Sequence, residues 1–238
     1  MTLVRCIVLP GMDGTGELLG EFIAAMAPDF DAQVIAYPRD RVLGYEELVE
    51  FVIPQLPASG PWLLLGESFS GAVAIRIAAQ RPAGLRGLVL CASFAQPPRP
   101  PGSPLSAHAL SRLASYLPLG RIPARWAAHA MLGRWRSAQW IARLQPVLAS
   151  LNPAVMRHRM LEAGRVDASS ALAESVCPLL YLRATRDRLV SGDSLRWIQS
   201  VRPDVSSVEL DAPHFVLQVG ADEAARAIAN WWSGIGEE

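Results

Sequence analysis

Lysine is absent from this chain; all 22 basic side chains are arginine. Schiff-base chemistry on a lysine amine and the lysine-dependent phosphate loop are therefore excluded. Cysteine is scarce: Cys6, Cys91 and Cys177 lie far apart, each in or beside a strand-like run. Three isolated thiols without close spacing make neither a disulfide framework nor a zinc site, and are expected to be small core residues. No apolar run is long enough to span a bilayer; the longest, such as Trp62–Gly66, are strand-sized, so stable membrane insertion is not expected. The opening Thr2-Leu3-Val4-Arg5-Cys6-Ile7-Val8-Leu9 reads as a strand, without charged leader, apolar stretch and small-residue cleavage site. The expectation is a cytoplasmic protein.

What the 238 residues do contain is a large apolar share, 51%, and a mean hydropathy of +0.22, enough for one domain with a substantial core. Acidic and basic residues balance at 22 each, and no nucleic-acid partner is expected. The balance is uneven along the chain. Between Ala95 and Ser170 ten arginines face only Glu162 and Asp167, an excess of about eight positive charges. A solvated face of an arginine-rich helical segment is the simplest reading; an anionic substrate or a membrane surface are the alternatives.

Both ends of the chain alternate strand-like and helix-like segments. Strands are predicted at Leu3–Leu9, Gln33–Tyr37, Trp62–Leu65, Leu85–Cys91, Leu179–Arg183 and Ser206–Leu210. Helical periodicity marks Glu17–Met26, Tyr45–Leu56 and Gly71–Gln80 between them. Continuous apolar strands alternating with helices predict an α/β fold, a mostly parallel sheet covered on both faces. Ligands of such sheets bind beyond the carboxyl ends of the strands. The alternation breaks at Gln96-Pro97-Pro98-Arg99-Pro100-Pro101-Gly102, which prolines keep out of helix and sheet interior. From Ser103 to about Leu172 the pattern is helical, divided by Pro118, Pro123, Pro146 and Pro153 and carrying Trp126, Trp135 and Trp140. The expected organisation is a core of residues 1–94 and 173–238 with a helical cap, 95–172, inserted into it.

Three loops carry candidate chemistry. In Leu63-Leu64-Leu65-Gly66-Glu67-Ser68-Phe69-Ser70-Gly71 a strand runs through a serine into a helix. That is the context of a nucleophile elbow, G-x-S-x-G, whose sharp turn needs small residues two before and two after the serine. Gly66 and Ser70 fit, although glycine is usual at position 70. A serine at a helix start is also a common N-cap, and Ser70 is a candidate for that simpler role. In Leu9-Pro10-Gly11-Met12-Asp13-Gly14-Thr15-Gly16 a glycine-rich loop follows the first strand. It is placed to supply an oxyanion donor from the Met12 N–H, with the Phe69 N–H as the other. A dinucleotide site is the competitor, with Asp40 after the next strand, but the glycines fall as G-x-x-G-x-G rather than G-x-G-x-x-G.

The third signal is order. Asp187 follows the strand Leu179–Arg183, and His214 follows Ser206–Leu210, giving Ser, Asp, His along the chain. His108, His129 and His158 all fall in the predicted cap, which leaves His214 as the core candidate. Asp187 has a structural alternative in an ion pair with Arg186 or Arg188; Asp211 and Asp193 are rival acids. Asp13 and Glu67 flank the site, to tune it or to hydrogen-bond its loops.

With these motifs the chain resembles the α/β-hydrolase superfamily over essentially its whole length. The Leu-Pro-Gly-Met-Asp-Gly-Thr-Gly loop and the Gly-Glu-Ser-Phe-Ser-Gly elbow look closest to esterase, lipase and acyltransferase members, including plant phytyl-ester-synthase-like proteins. The two-stranded N-terminal extension common in that fold is not expected here, and the expectation is about six strands. The resemblance implies a serine hydrolase with Ser68 as nucleophile, His214 as base and Asp187 as orienting acid. Its substrate would be a small hydrophobic ester or thioester, cleaved without metal or organic cofactor. The alternatives are an acyltransferase on the same three residues, a catalytically silent binding protein of the same fold, and a dinucleotide-dependent enzyme.

Overall fold

A computed structural model describes residues 3–103, 105, 109, 112–113, 116 and 123–235. Six strands form one sheet in which every pairing is parallel: β1 (Val4–Leu9), β2 (Phe30–Val34), β3 (Trp62–Glu67), β4 (Leu85–Cys91), β5 (Leu179–Ala184) and β6 (Ser206–Leu210). The order across the sheet is β2-β1-β3-β4-β5-β6. β3, in the middle, is buried at every position, whereas the edge strand β2 exposes alternate residues and the edge strand β6 exposes Ser206, Ser207 and Glu209. Continuous apolar sequence in the centre and mixed sequence at the edges follow from that arrangement.

The helices α1 (Gly20–Met26), α2 (Tyr45–Val52) and α3 (Gly71–Ala79) connect the first four strands. Between β4 and β5 lie α4 (Ala124–Leu132), α5 (Ala138–Ser150), α6 (Pro153–Ala163) and α7 (Ser169–Glu174). The chain ends through α8 (Asp193–Val201), α9 (Val216–Val219) and α10 (Ala221–Ile235). One apolar layer, with Ile7, Leu64, Leu88 and Tyr181 of the sheet, packs under α2, α3 and α8. The other, with Cys6, Leu63, Val89 and Leu180, packs under α1 and α10. A smaller cluster joins Leu132, Leu144 and Val147 of α4 and α5 to Leu18, Phe215 and Val219. The helices between β4 and β5 thus rest on segments that follow β1 and β6.

Several boundaries differ from the sequence-based expectation. The second strand ends at Val34 rather than reaching Tyr37, because β1 stops at Leu9 and the loop after it takes over the pairing: Tyr37 N–H donates to Gly14 C=O at 2.8 Å. Ile35 and Tyr37 are buried nonetheless, so their apolar character reflects packing and not strand geometry. α1 begins at Gly20, later than expected, and α2 tightens into a 3₁₀ turn at Ile53–Gln55, where Pro54 removes a donor. Pro146 does not separate two helices but lies inside α5. Leu144 and Val147 on either side of it are both buried, and that packing holds the turn despite the missing hydrogen bond. Pro123 and Pro153 do stand at helix starts, while Pro118 and His108 lie outside the described residues.

Cys6 and Cys91 are buried and Cys177 is half-buried; all three are free thiols. Burial pushes Cys6 up to about 12 and Cys177 to about 11, which keeps both protonated and unreactive near neutrality. No helix among the described residues is long and apolar enough to cross a membrane.

Candidate active site

The order β2-β1-β3 means that the chain reverses direction across the sheet between β1 and β3. At such a switch point the loops leaving the two strands diverge and open a crevice at their carboxyl ends. The loop Pro10–Gly16 leaves β1 and the turn Ser68–Ser70 leaves β3, both at that point.

Ser68 has a backbone φ of 50°, in the left-handed region that L side chains avoid. Such a residue costs about 1–3 kcal/mol and persists only where its surroundings over-determine it. Here they do. Ser93, just beyond β4, donates its hydroxyl to Ser68 C=O at 2.7 Å, and Tyr181 of β5 donates to Ser93 C=O at 2.6 Å. A side chain at position 66 would meet Ser70 O and Gly71 Cα, both at 2.8 Å, and one at position 71 would sit 1.7 Å from Ser93 Oγ. The turn therefore closes only with glycine at both places.

Ser70 does not act as a helix cap. Its hydroxyl donates to Pro10 C=O and accepts from Tyr37 OH at 2.6 Å, both buried contacts. The serine that stands where glycine is usual is thus a tether between the two loops. Glu67, also buried, reaches the same loop through Oε2, which accepts Gly11 N–H at 3.0 Å. Arg159 of α6 is buried and donates to Met12 C=O at 2.8 Å and to Pro38 C=O at 3.3 Å.

Within the β1 loop, Gly14 N–H donates to Gly11 C=O and Thr15 N–H to Asp13 Oδ1, so these donors serve the loop itself. Met12 N–H has no partner among the described residues. The amides of Gly11, Gly14 and Thr15 are thus taken by protein acceptors and are not offered to a pyrophosphate, which needs several converging N–H groups.

His214 and Asp187 come from the other half of the sheet. Asp187 follows β5, and its Oδ1 accepts Leu189 N–H at 2.7 Å and Val190 N–H at 2.9 Å. Those bonds aim Oδ2 at His214 Nδ1, 2.8 Å away. His214 Nε2 lies 2.9 Å from Ser68 Oγ. With Nδ1–H donating to the carboxylate, Nε2 is left as the acceptor for the serine proton. All three side chains are buried. Burial works to lower the His214 pKa, but the charge of Asp187, the hydrogen bond to it and the charge of Glu67 outweigh it, holding the imidazole above its usual value.

The rival acids are elsewhere. Asp211 is exposed and paired with Arg134 at 2.5 Å and Arg186 at 3.1 Å. Asp193 opens α8 and pairs with Arg196. Arg188 turns to His129 in α4, so neither neighbouring arginine takes Asp187. The structure therefore brings Ser68, Asp187 and His214 into one hydrogen-bonded line, with Met12 and Phe69 in the two flanking loops. Sequence reasoning missed Ser93, Tyr181, Tyr37, Gln218 and Arg159. Of these, Ser93 alone carried a local signal, as a polar residue directly after a strand.

Comparison with known proteins agrees with this topology. A family profile described as "Alpha/beta hydrolase family" matches residues 4–230. No curated protein matches the sequence. Among solved structures, the chain is similar to an esterase from Thermogutta terrifontis, with 20% identity, a TM-score of 0.76, and 98% of this chain and 91% of that one covered. An enol-lactonase from Burkholderia xenovorans gives 14% identity, a TM-score of 0.79 and coverage of 98% and 92%. A bromoperoxidase from Bacillus anthracis gives 14% identity, a TM-score of 0.81 and coverage of 98% and 92%. At these identities the likeness is one of fold.

Proposed function

The chain belongs to the alpha/beta hydrolase family, and from that premise we propose that it is a serine hydrolase cleaving a carboxylic ester or thioester of a small hydrophobic substrate. The observation that carries this reading is the unbroken line Ser68 Oγ, His214, Asp187, with the far carboxylate oxygen fixed by two backbone N–H groups. A structural ion pair needs no serine at its end, and the positive φ of that serine, though shared with Arg81 and Ala92, is the sharp strand-to-helix turn that a nucleophile elbow requires.

In the proposed reaction His214 Nε2 takes the Ser68 hydroxyl proton as Oγ attacks the substrate carbonyl. Asp187 holds the tautomer and stabilises the imidazolium. The tetrahedral oxyanion accepts hydrogen bonds from Met12 N–H and Phe69 N–H, each contributing about 3 kcal/mol to lowering the barrier. His214 returns the proton to the departing alcohol or thiol, leaving an acyl group on Ser68. Water, deprotonated by His214, then attacks that acyl group; the bond to Ser68 Oγ breaks, the acid leaves, and His214 returns the proton to the Ser68 hydroxyl. The residues of 95–172 act as a cap in this scheme, and the cluster joining α4 and α5 to Leu18 and Phe215 supports it by placing those helices against the loops. Trp135 and Trp140 pack into that same cluster, which favours a structural role for them over a substrate-lining one.

The test is labelling with a fluorophosphonate probe, followed by turnover of p-nitrophenyl esters of increasing chain length. Labelling is expected in the wild type and abolished in Ser68→Ala, with turnover lost in both Ser68→Ala and His214→Ala. Labelling that survives Ser68→Ala overturns the assignment. Adding an alcohol and finding ester rather than acid as the main product would redirect it to acyl transfer.

A further inference from the structure

Glu67 is an expensive residue to place where it is. It ends the central strand, immediately before Ser68, and is buried. Taking a carboxylate out of water costs several kcal/mol unless its oxygens find donors. Both do, and the donors come from different loops. Oε2 accepts Gly11 N–H at 3.0 Å, next to Met12 in the loop after β1; Oε1 accepts Gln218 Nε2–H at 2.8 Å, in the short helix α9 that begins two residues after His214. One carboxylate on the elbow therefore spans the loop beside the oxyanion donor and the turn bearing the base.

The β1 loop shows how much this matters. Three consecutive residues are each gripped by a side chain from another element: Pro10 C=O by Ser70, Gly11 N–H by Glu67 and Met12 C=O by Arg159. Those grips hold the peptides on both sides, Pro10–Gly11 and Met12–Asp13, and Gly11 C=O accepts Gly14 N–H, so the Gly11–Met12 peptide that carries the unpartnered Met12 N–H is set between fixed neighbours. Glu67 alone among the three also reaches the His214 side.

We propose that Glu67 is a positioning residue, a charged strut that sets the oxyanion loop and the histidine turn against the nucleophile; this rests on the serine-hydrolase reading above. The titratable and charged groups facing it are Asp13 of the β1 loop, His214 and the Cys91 thiol of β4; His214 in turn faces Asp187. Burial raises the Glu67 pKa, while the donors Gln218 and Gly11 and the charge of His214 oppose that rise. Its negative charge in turn supports the imidazolium that forms when His214 takes the serine proton.

The experiment compares wild type, Glu67→Gln, Gln218→Met and the double variant on p-nitrophenyl acetate, with kcat, KM, the pH profile of kcat/KM and thermal midpoints, beside fluorophosphonate labelling of the wild type. Glu67→Gln keeps size but not charge. Its kcat should fall about 100-fold with KM within about threefold, the pattern of misplaced transition-state donors. Its acid limb should move to lower pH, because one of the charges favouring the imidazolium is gone. Gln218→Met should lower kcat about tenfold, and the double variant should be no worse than Glu67→Gln, since the glutamine acts through the glutamate. A Glu67→Gln enzyme with wild-type kcat, or one whose midpoint falls while its acid limb stays in place, overturns the positioning role. Should Glu67→Gln fail to fold, Gln218→Met decides: unchanged kcat overturns the strut and a tenfold loss supports it. An unlabelled, inactive wild type would overturn the parent reading and this one together, an outcome distinct from an active wild type with an indifferent Glu67.

Discussion

Around Ser68 the polar groups are buried and tied to one another across the loops above the sheet. Ser93, Ser70, Glu67 and Asp187 each hold a backbone group of another segment or of their own loop. The helices between β4 and β5 are secured differently. Ion pairs of theirs lie at or near the surface: Arg134 with Asp211 and Arg143 with Glu21. Exposed pairs of this kind contribute little, whereas a buried polar group stripped of its partner costs its full desolvation. Arg159 of α6 differs, a buried arginine planted on the loop that follows β1. The contrast is between a crevice at the strand ends whose polar groups are buried and mutually tied, and helices attached to the rest mainly by apolar packing and surface polar contacts, with Arg159 as a buried anchor.

The sharpest way to break that contrast is to exchange an acid in each setting. Asp187→Asn should lower kcat about ten-thousandfold, because the amide presents the wrong hydrogen-bonding partner to His214 Nδ1. Asp211→Asn, three residues from His214 in sequence but exposed, should leave kcat within about threefold of wild type. Comparable losses in the two variants would mean that surface charge, not the buried line, governs turnover. Next comes the anchor. Arg159→Met should destabilise the protein by about 1–3 kcal/mol by leaving Met12 C=O and Pro38 C=O unpaired, with a kcat loss of about tenfold. Arg134→Ala should shift stability by no more than about 0.5 kcal/mol. Equal melting curves for the two arginine variants would remove the distinction between anchor and surface pair. The smallest effect concerns strain. Ser68→Gly and Ser68→Ala both lack the hydroxyl, so their difference isolates the backbone: the glycine variant should be more stable by about 1 kcal/mol in chemical denaturation. If alanine proves the more stable, the positive φ is not a burden on the fold.

The order of strands and helices and the places of Ser68, Asp187 and His214 beyond strand ends were legible because each depends on local pattern: apolar runs, small residues at a sharp turn, a polar residue where a strand stops. The tethers were not. Arg159 is one of ten arginines between Ala95 and Ser170, and nothing local separates it from Arg157 or Arg165. Gln218 sits in an ordinary helical turn, and its partner is in a strand far away in sequence. Ser70 looked like a small departure from glycine because its use depends on Tyr37, which itself looked like strand. Pro146 misled for a related reason: apolar packing on both sides of it outweighs a local propensity rule.

The fit between Gly71 and Ser93 has a consequence for how this sequence can vary. The helix that starts at residue 71 lies flush against the side chain at 93, and that side chain in turn grips the strained serine. A methyl group added at 71 needs a smaller residue at 93, yet shrinking 93 releases the grip. Two neutral single steps between alternative pairs are therefore closed off, and substitutions at these positions can be exchanged only together, so drift in related chains should show them changing as a couple or not at all.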